Sequence, residues 1–235
     1  MENNKFLKGI TDGLPICIGY FAVSFAFGIS AVQSGLSWLE ALLISALNLT
    51  SAGQFAGLSI IVSGGTLIEM AISQLVINSR YSLMSVSLSQ KLSEKIKLPE
   101  RMLIAFGNTD EIFGVSISNK EMLGKKYMYG LILTPYFGWS LGTLAGAVLG
   151  DILPAVVVSS LGLAIYGMFI AIVVPVIKKE KATALCVLGA ILLSCLFRYI
   201  PFLSVVPSGF VIIICAVVPS LIFAFAAPIK EEVAE

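Results

Sequence analysis

Five stretches of this chain run 24 to 31 residues without one charged side chain: 13–39, 41–68, 127–150, 152–177 and 199–229. A helix needs roughly 20 apolar residues to cross the hydrocarbon core of a bilayer. Five such runs in 235 residues constrain the fold more than any other feature of the sequence. Composition agrees: 57% of residues are hydrophobic and 12% charged, against about 45–50% and about 25% in soluble domains, and mean hydropathy is +0.97. A disordered chain, a disulfide scaffold and an ordinary soluble enzyme are excluded.

Two further apolar runs carry defects. Residues 71–89 are apolar around a centre of Asn78, Ser79 and Arg80, and residues 182–197 end at Arg198. A shorter stretch, 102–118, holds Asn108, Thr109, Asp110 and Glu111 in its middle. The reading is an all-α, polytopic integral membrane protein with seven to eight transmembrane segments, at least one of them broken, forming a single transmembrane domain over 1–235. The segments fall at about 14–33, 38–63, 67–89, 102–118 (the doubtful one), 127–149, 154–177, 182–199 and 205–227. Lys5 and Lys8 precede the first run, but it is too long for a signal-peptide core and is read as the first spanning helix.

Basic residues set orientation. They cluster at the N-terminus, in 89–101, 119–126 and 178–181, and at Lys230. If all eight segments span with the N-terminus inside, nine basic residues lie inside and four outside, the four all in 89–101. If 102–118 were re-entrant, both its flanking loops would share one side; the N-terminus would then lie outside, or another segment would also fail to span. Counting charges does not choose between these.

Net charge is +1, which gives no reason to expect a nucleic-acid partner. The chain has no histidine, so an imidazole relay or a histidine-ligated metal is excluded, and no cofactor or metal is expected. Cys17, Cys186, Cys195 and Cys215 all lie in apolar stretches and read as small buried hydrophobes. Gly19, Gly28 and Gly35 echo Gly138, Gly142, Gly146 and Gly150, a pattern that fits close helix packing or the trace of an internal repeat. Glu40 and Glu69 open apolar runs, where they offset the helix dipole, and receive no functional role. Asp151 reads as a loop or cap residue, and Pro175, Pro201, Pro207 and Pro219 as bends or ends of helices.

Polar groups at membrane depth are costly and therefore informative. Three constellations stand out. Asn48 to Gln54 places polar side chains around most of a helical turn in the middle of the 41–68 run. That suits either a broken helix lining a cavity or polar contacts to neighbouring helices. Arg80 sits mid-segment beside Asn78, Ser79 and Tyr81. Its guanidinium keeps its charge and so needs a partner, which is either a ligand carboxylate gripped through two hydrogen bonds or a permanent internal acid. Asp110 and Glu111 are adjacent, about 100° apart on a helix, so at most one points straight at Arg80. The other is left for water, an ammonium group or a proton, unless the segment surfaces and both acids are merely solvated.

At these residues the sequence resembles the AzlC-type branched-chain amino acid exporters. The matching pieces are Gly13-x-Pro15-x3-Gly19-Tyr20 with Phe27-Gly28, Ser51-Ala52-Gly53-Gln54-Phe55, Asn78-Ser79-Arg80-Tyr81, Thr109-Asp110-Glu111-x-Phe113, Trp139 followed by glycines, and the stretch 162–175. Together they cover about residues 9–177. The chain departs from the family at Ser79, where leucine is usual, and in the short spacing of Gly53 and Gln54, where the family shows Ala-Gly-x-x-Gln. The resemblance implies export of leucine, isoleucine, valine and related apolar amino acids across a bacterial plasma (inner) membrane. It also implies a small AzlD-type membrane partner of about four helices.

The expectation is a proton-coupled secondary transporter, not an enzyme, with Asn48, Ser51, Gln54, Asn78 and Arg80 at the substrate, and Asp110 and Glu111 at the coupling ion. Phe55, Tyr81 and Phe113 are candidates for the apolar pocket. No Walker A motif appears, so the chain does not itself hydrolyse ATP. The alternatives are an intramembrane enzyme using Asp110 and Glu111 as acid and base, and a scaffold subunit that transports nothing.

Overall fold

The computed structural model describes residues 2–150 and 181–226, with Val156, Ile170, Val174, Ile177 and Lys178 between them. The expected segment 154–177 therefore lies almost wholly outside the described residues, as does Asp151. Among the described residues there are nine α-helices and no named strand: α1 (Glu2–Gln33), α2 (Trp38–Leu47), α3 (Ser51–Val62), α4 (Leu67–Lys91), α5 (Leu98–Phe106), α6 (Asp110–Ser118), α7 (Lys125–Leu149), α8 (Lys181–Tyr199) and α9 (Ser208–Ala226). Among the described residues, four stretches are long and apolar enough to cross a membrane: Lys5–Gln33, Lys125–Leu149, Lys181–Tyr199 and Gly209–Ala226. Contacts divide the chain into one unit of residues 1–55 and 78–165 and a second of 56–77 and 166–235.

The first unit is built on a seam between α1 and α7. Gly9 meets the backbone of Tyr127 and Leu131, and Gly28 meets that of Thr143 and Ala147, so residue numbers rise together and the helices run parallel. Gly130, Gly138, Gly142 and Gly146 face α1 so closely that a Cβ would overlap its backbone; at Gly138 it would lie 2.7 Å from the Cys17 carbonyl. Small residues let two helices approach in this way where lipid offers no hydrophobic drive for association. Gly19 and Gly35 are not part of the seam. A Cβ at Gly19 would meet nothing within 4 Å, and Gly35 takes φ +96° in the turn after α1.

Two helical hairpins pack on this frame from opposite ends. Residues 38–63 are not one rod. The chain breaks at 48–50, where the Thr50 N–H bonds the Asn48 carbonyl at 2.8 Å and the Thr50 hydroxyl receives the Gly53 N–H at 3.4 Å. Asn and Thr offer the backbone local bonds that compete with the helix ladder. Going in, α2 passes Thr143, 2.6 Å from Ser45; coming out, α3 carries Gln54 back to Ser45 at 2.7 Å and Phe55 to the ring of Phe27. The tip of α2–α3 therefore points away from the end where α1 finishes.

The second hairpin mirrors this. Glu100, at the foot of α5, holds Lys125 at the foot of α7 at 2.7 Å, and Gly107 at its top lies against Ile132. The Thr109 N–H bonds the Gly107 carbonyl at 3.1 Å, the same two-residue closure seen at Asn48 and Thr50. Then α6 descends from Tyr20 at its first turn to Met128, 3.7 Å from Ser116. Both feet of α5–α6 therefore stand beside the start of α7. Leu88, Leu92, Ile96, Ile104, Ile112, Leu123, Met128 and Leu131 form the apolar core under it. Phe113 packs against that core and Phe55 against Phe27.

In the second unit, Gly64 takes φ +69° in the turn joining α3 to α4. Glu69 is 2% exposed and accepts the Gly209 N–H at 2.6 Å, with Ser73 on the Gly209 carbonyl at 3.3 Å. It thus caps α9 as well as opening α4, a role that the sequence alone does not assign. Glu40 closes a capping box with Ser37 at the start of α2. Helix α8 has no buried residue and presents Leu185, Leu188, Leu192 and Leu196 outward. The cysteines are less enclosed than expected: Cys17, Cys186 and Cys215 are half-buried, and Cys195 is exposed on α8. Pro201 follows the end of α8 and Pro207 precedes α9, as helix-ending residues should, while Pro219 is carried inside α9.

Candidate functional site

The two hairpin tips meet the middle of α4 within the first unit. From α4, Arg80 Nη1 lies 2.6 Å from Asp110 Oδ2, at the first turn of α6. The guanidinium stacks over its neighbour Tyr81, 4.9 Å from the ring centroid, and Nη2 donates to the Tyr81 hydroxyl at 3.3 Å. That hydroxyl donates to Thr50 Oγ1 at 3.4 Å, and Thr50 donates to Asn78 Oδ1 at 3.0 Å. One run of contacts therefore joins the tip of α5–α6, the centre of α4 and the tip of α2–α3. The ion pair is half-open, with side chains 44% and 34% exposed.

The two acids diverge, as adjacent helical residues must. Asp110 faces Arg80; Glu111 accepts a short hydrogen bond from the hydroxyl of Tyr20 on α1. The same hydroxyl lies 2.6 Å from Thr109 Oγ1. Nearby, Asn108 is 3% exposed and donates to Ser85 on α4 at 3.3 Å, while its Oδ1 has no hydrogen-bond partner. Asp110 and Glu111 also occupy the end of α6 where the helix dipole favours negative charge.

Of the residues expected at the substrate, Asn78 and Arg80 lie in this run of contacts. Asn48 ends α2 and Ser51 opens α3, beside the tip. Gln54 is placed differently. It is 1% exposed, takes the Trp139 indole N–H at 2.8 Å and gives its own amide to Ser45, which lies against Thr143. Its polar capacity is spent inside the protein, pinning α2–α3 to α7 together with the Tyr136 hydroxyl on the Ala46 carbonyl at 3.1 Å. The residues missed are Tyr20, Thr50 and Thr109. Thr50 and Thr109 stood in the polar clusters but drew no role; Tyr20 appeared only within the resemblance, because nothing local to it shows that Glu111 folds against it from 91 residues away.

The family model described as AzlC protein matches residues 15–153. The chain is similar to the inner membrane protein YgaZ of Escherichia coli K12, 29% identical over 79% of this chain and 78% of that one. It is also similar to an uncharacterized membrane protein of Archaeoglobus fulgidus, 34% identical over 82% of this chain and 85% of its relative. A third relative is an uncharacterized membrane protein of Helicobacter pylori 26695, 27% identical over 63% of this chain and 67% of its own length. No solved structure matches. The residues that build both hairpins and the α1–α7 seam all fall within or beside the matched range, and this chain is a membrane protein belonging to the AzlC family.

Proposed function

We propose that the chain is a secondary transporter that exports branched-chain and related apolar amino acids across the plasma membrane, coupled to protons and working with a small AzlD-type membrane partner. The observation that carries the reading is the half-open Arg80–Asp110 pair held where two opposed hairpin tips meet. A zwitterion needs a cation for its carboxylate and an acid for its ammonium group, and both stand there. Tyr81 offers an aromatic wall beside them. Broken helices at membrane depth are a recurring way to build such a site.

Orientation follows from the hairpins. The feet of α5–α6, the start of α1 and the start of α7 share one end of the first unit. Lys5, Lys8, Lys91, Lys95, Lys97, Arg101, Lys120, Lys125 and Lys126 all belong to that end, and Arg80 is the one other basic residue among the unit's described residues. With both hairpins re-entrant from opposite faces, every one of these nine charges lies on the cytoplasmic side, and the conflict in the loop count disappears. The N-terminus is then inside.

The division of labour between the acids supports proton coupling through Glu111, which is tied to a neutral tyrosine, while Asp110 answers Arg80. The test is efflux of preloaded labelled leucine from cells making the chain with and without the small partner, in the presence and absence of an uncoupler. Efflux that needs the chain and collapses with the gradient supports the proposal. Absence of leucine efflux in every pairing removes the substrate, and efflux that persists after full uncoupling removes the coupling.

A further inference from the structure

The Arg80–Asp110 pair poses a problem for any ligand that binds there. Arg80 already spends Nη1 on Asp110 and Nη2 on Tyr81. A carboxylate that took Arg80 alone would strand the charge of Asp110; an ammonium group that took Asp110 alone would strand Arg80. Removing one partner of an ion pair away from bulk water leaves an uncompensated charge, which is the expensive way to break it. A molecule carrying both charges avoids this, because it replaces one ion contact by two and leaves the net charge of the site unchanged.

We propose that the Arg80–Asp110 ion pair is the lock of the site and that substrate opens it by insertion, its carboxylate on Arg80 and its ammonium group on Asp110. This rests on the transport reading and adds to it a specific role for Asp110, which seats the substrate instead of carrying the proton. Three observations carry it. The pair is not sealed inside the protein: its side chains are 44% and 34% exposed. It is an ion contact joining α4 to the tip of α5–α6, so insertion between the two charges pushes that tip off α4. Glu111, the other acid, is turned away toward Tyr20 and takes no part in the pair. Asp110 is also the N-terminal residue of α6, so an incoming ammonium group meets a carboxylate whose charge the helix end already favours.

The experiment measures displacement of labelled leucine from the full chain, in membranes prepared with and without the small partner, by three compounds. Leucine carries both charges, leucinamide only the ammonium group, and 4-methylpentanoate only the carboxylate. The expected result is competition by leucine, with each one-charge compound at least about 30-fold weaker. In Asp110→Asn, which leaves Arg80 without a rival, 4-methylpentanoate should gain on leucine by about tenfold; in Arg80→Gln, leucinamide should gain instead. Melting curves on the same membranes confirm that each variant is folded, and the wild-type ranking of the three compounds stands as a test should either variant fail to accumulate. Leucine binding with a one-charge compound within about threefold of it overturns the insertion proposal alone. Absence of leucine binding to the wild-type chain under either condition overturns the transport reading, and the proposal with it.

Discussion

The hairpins α2–α3 and α5–α6 are alike at their tips and unlike in what holds them. Each turns at an asparagine and a threonine, each closes with a bond from the threonine N–H to a carbonyl two residues back, and each sends its second helix back beside α1 or α7. The hairpin α2–α3 is pinned from within by Ser45, Gln54, Trp139 and Thr143, all at most 2% exposed. The hairpin α5–α6 stands on an apolar core, and its tip is held by buried contacts to Tyr20 and by the half-exposed pair with Arg80. Buried, fully satisfied polar networks fix one geometry. An ion pair can trade a partner for another group of the same charge without leaving either charge bare. On the insertion proposal, the difference makes α2–α3 the fixed wall of the site and α5–α6 the wall that moves.

The strongest way to break this comparison is to remove the frame both hairpins share. Gly146→Leu drives a side chain into the Phe25 backbone and should abolish accumulation of folded protein in membranes, while Gly19→Leu, which meets nothing within 4 Å, should accumulate normally. Next comes the moving tip. Arg80→Ala at normal abundance should lower leucine efflux at least about 30-fold, which corresponds to about 2 kcal/mol at 1.36 kcal/mol per tenfold, with the buried pins of α2–α3 left intact. The fixed wall should answer in the opposite sense: Gln54→Leu orphans the Trp139 N–H and takes one donor from Ser45, which keeps Thr143, and should lower stability by about 1–2 kcal/mol in a melting or denaturant series. If Gln54→Leu melts like the parent but binds leucine poorly, the assignment of walls is wrong.

Tyr20→Phe removes the donor to Glu111 and should reduce uphill efflux by roughly threefold to tenfold, the worth of about one hydrogen bond, with leucine binding retained. The smallest effect lies at the foot of α5. Lys125 and Lys97 beside Glu100, and the Lys97 N–H bonded to it, hold its carboxyl below the usual carboxylate range. A depressed native pKa stabilises above the unfolded value of about 4.3 and is lost as pH falls through the native one. Glu100→Gln should therefore lose a slight stabilisation at pH 7 and flatten the fall in stability below about pH 4.3, as read from melting temperature against pH.

Much of this was legible from the chain. Charge-free runs located α1, α7, α8 and α9, the Asn48 cluster suggested one break, and the Asn108 cluster made 102–118 doubtful as a simple span. The 100° between Asp110 and Glu111 already required that they face different partners. What the residues could not carry was direction after a break. A polar cluster in an apolar run looks the same whether the chain continues through it or turns back, and the distinction here rests on contacts such as Gln54 with Trp139, 85 residues apart. The same blindness hid the role of Glu69, whose partner at Gly209 is 140 residues away. Charge counting stalled for a related reason: on the proposed topology, one re-entrant hairpin spoils the tally and a second, from the other face, restores it.

The glycine seam also sets a timetable. Gly9 cannot meet Tyr127 until roughly 120 further residues have been made, which at about 5–20 residues per second is on the order of ten seconds of synthesis. For that interval the first helix leaves the ribosome with its bare backbone stripe unmatched, and both hairpins are translated before the frame they rest on exists. The chain therefore depends on whatever shelters α1 during insertion, and nascent chains halted before about residue 150 hold every element of the site with nothing yet to assemble it on.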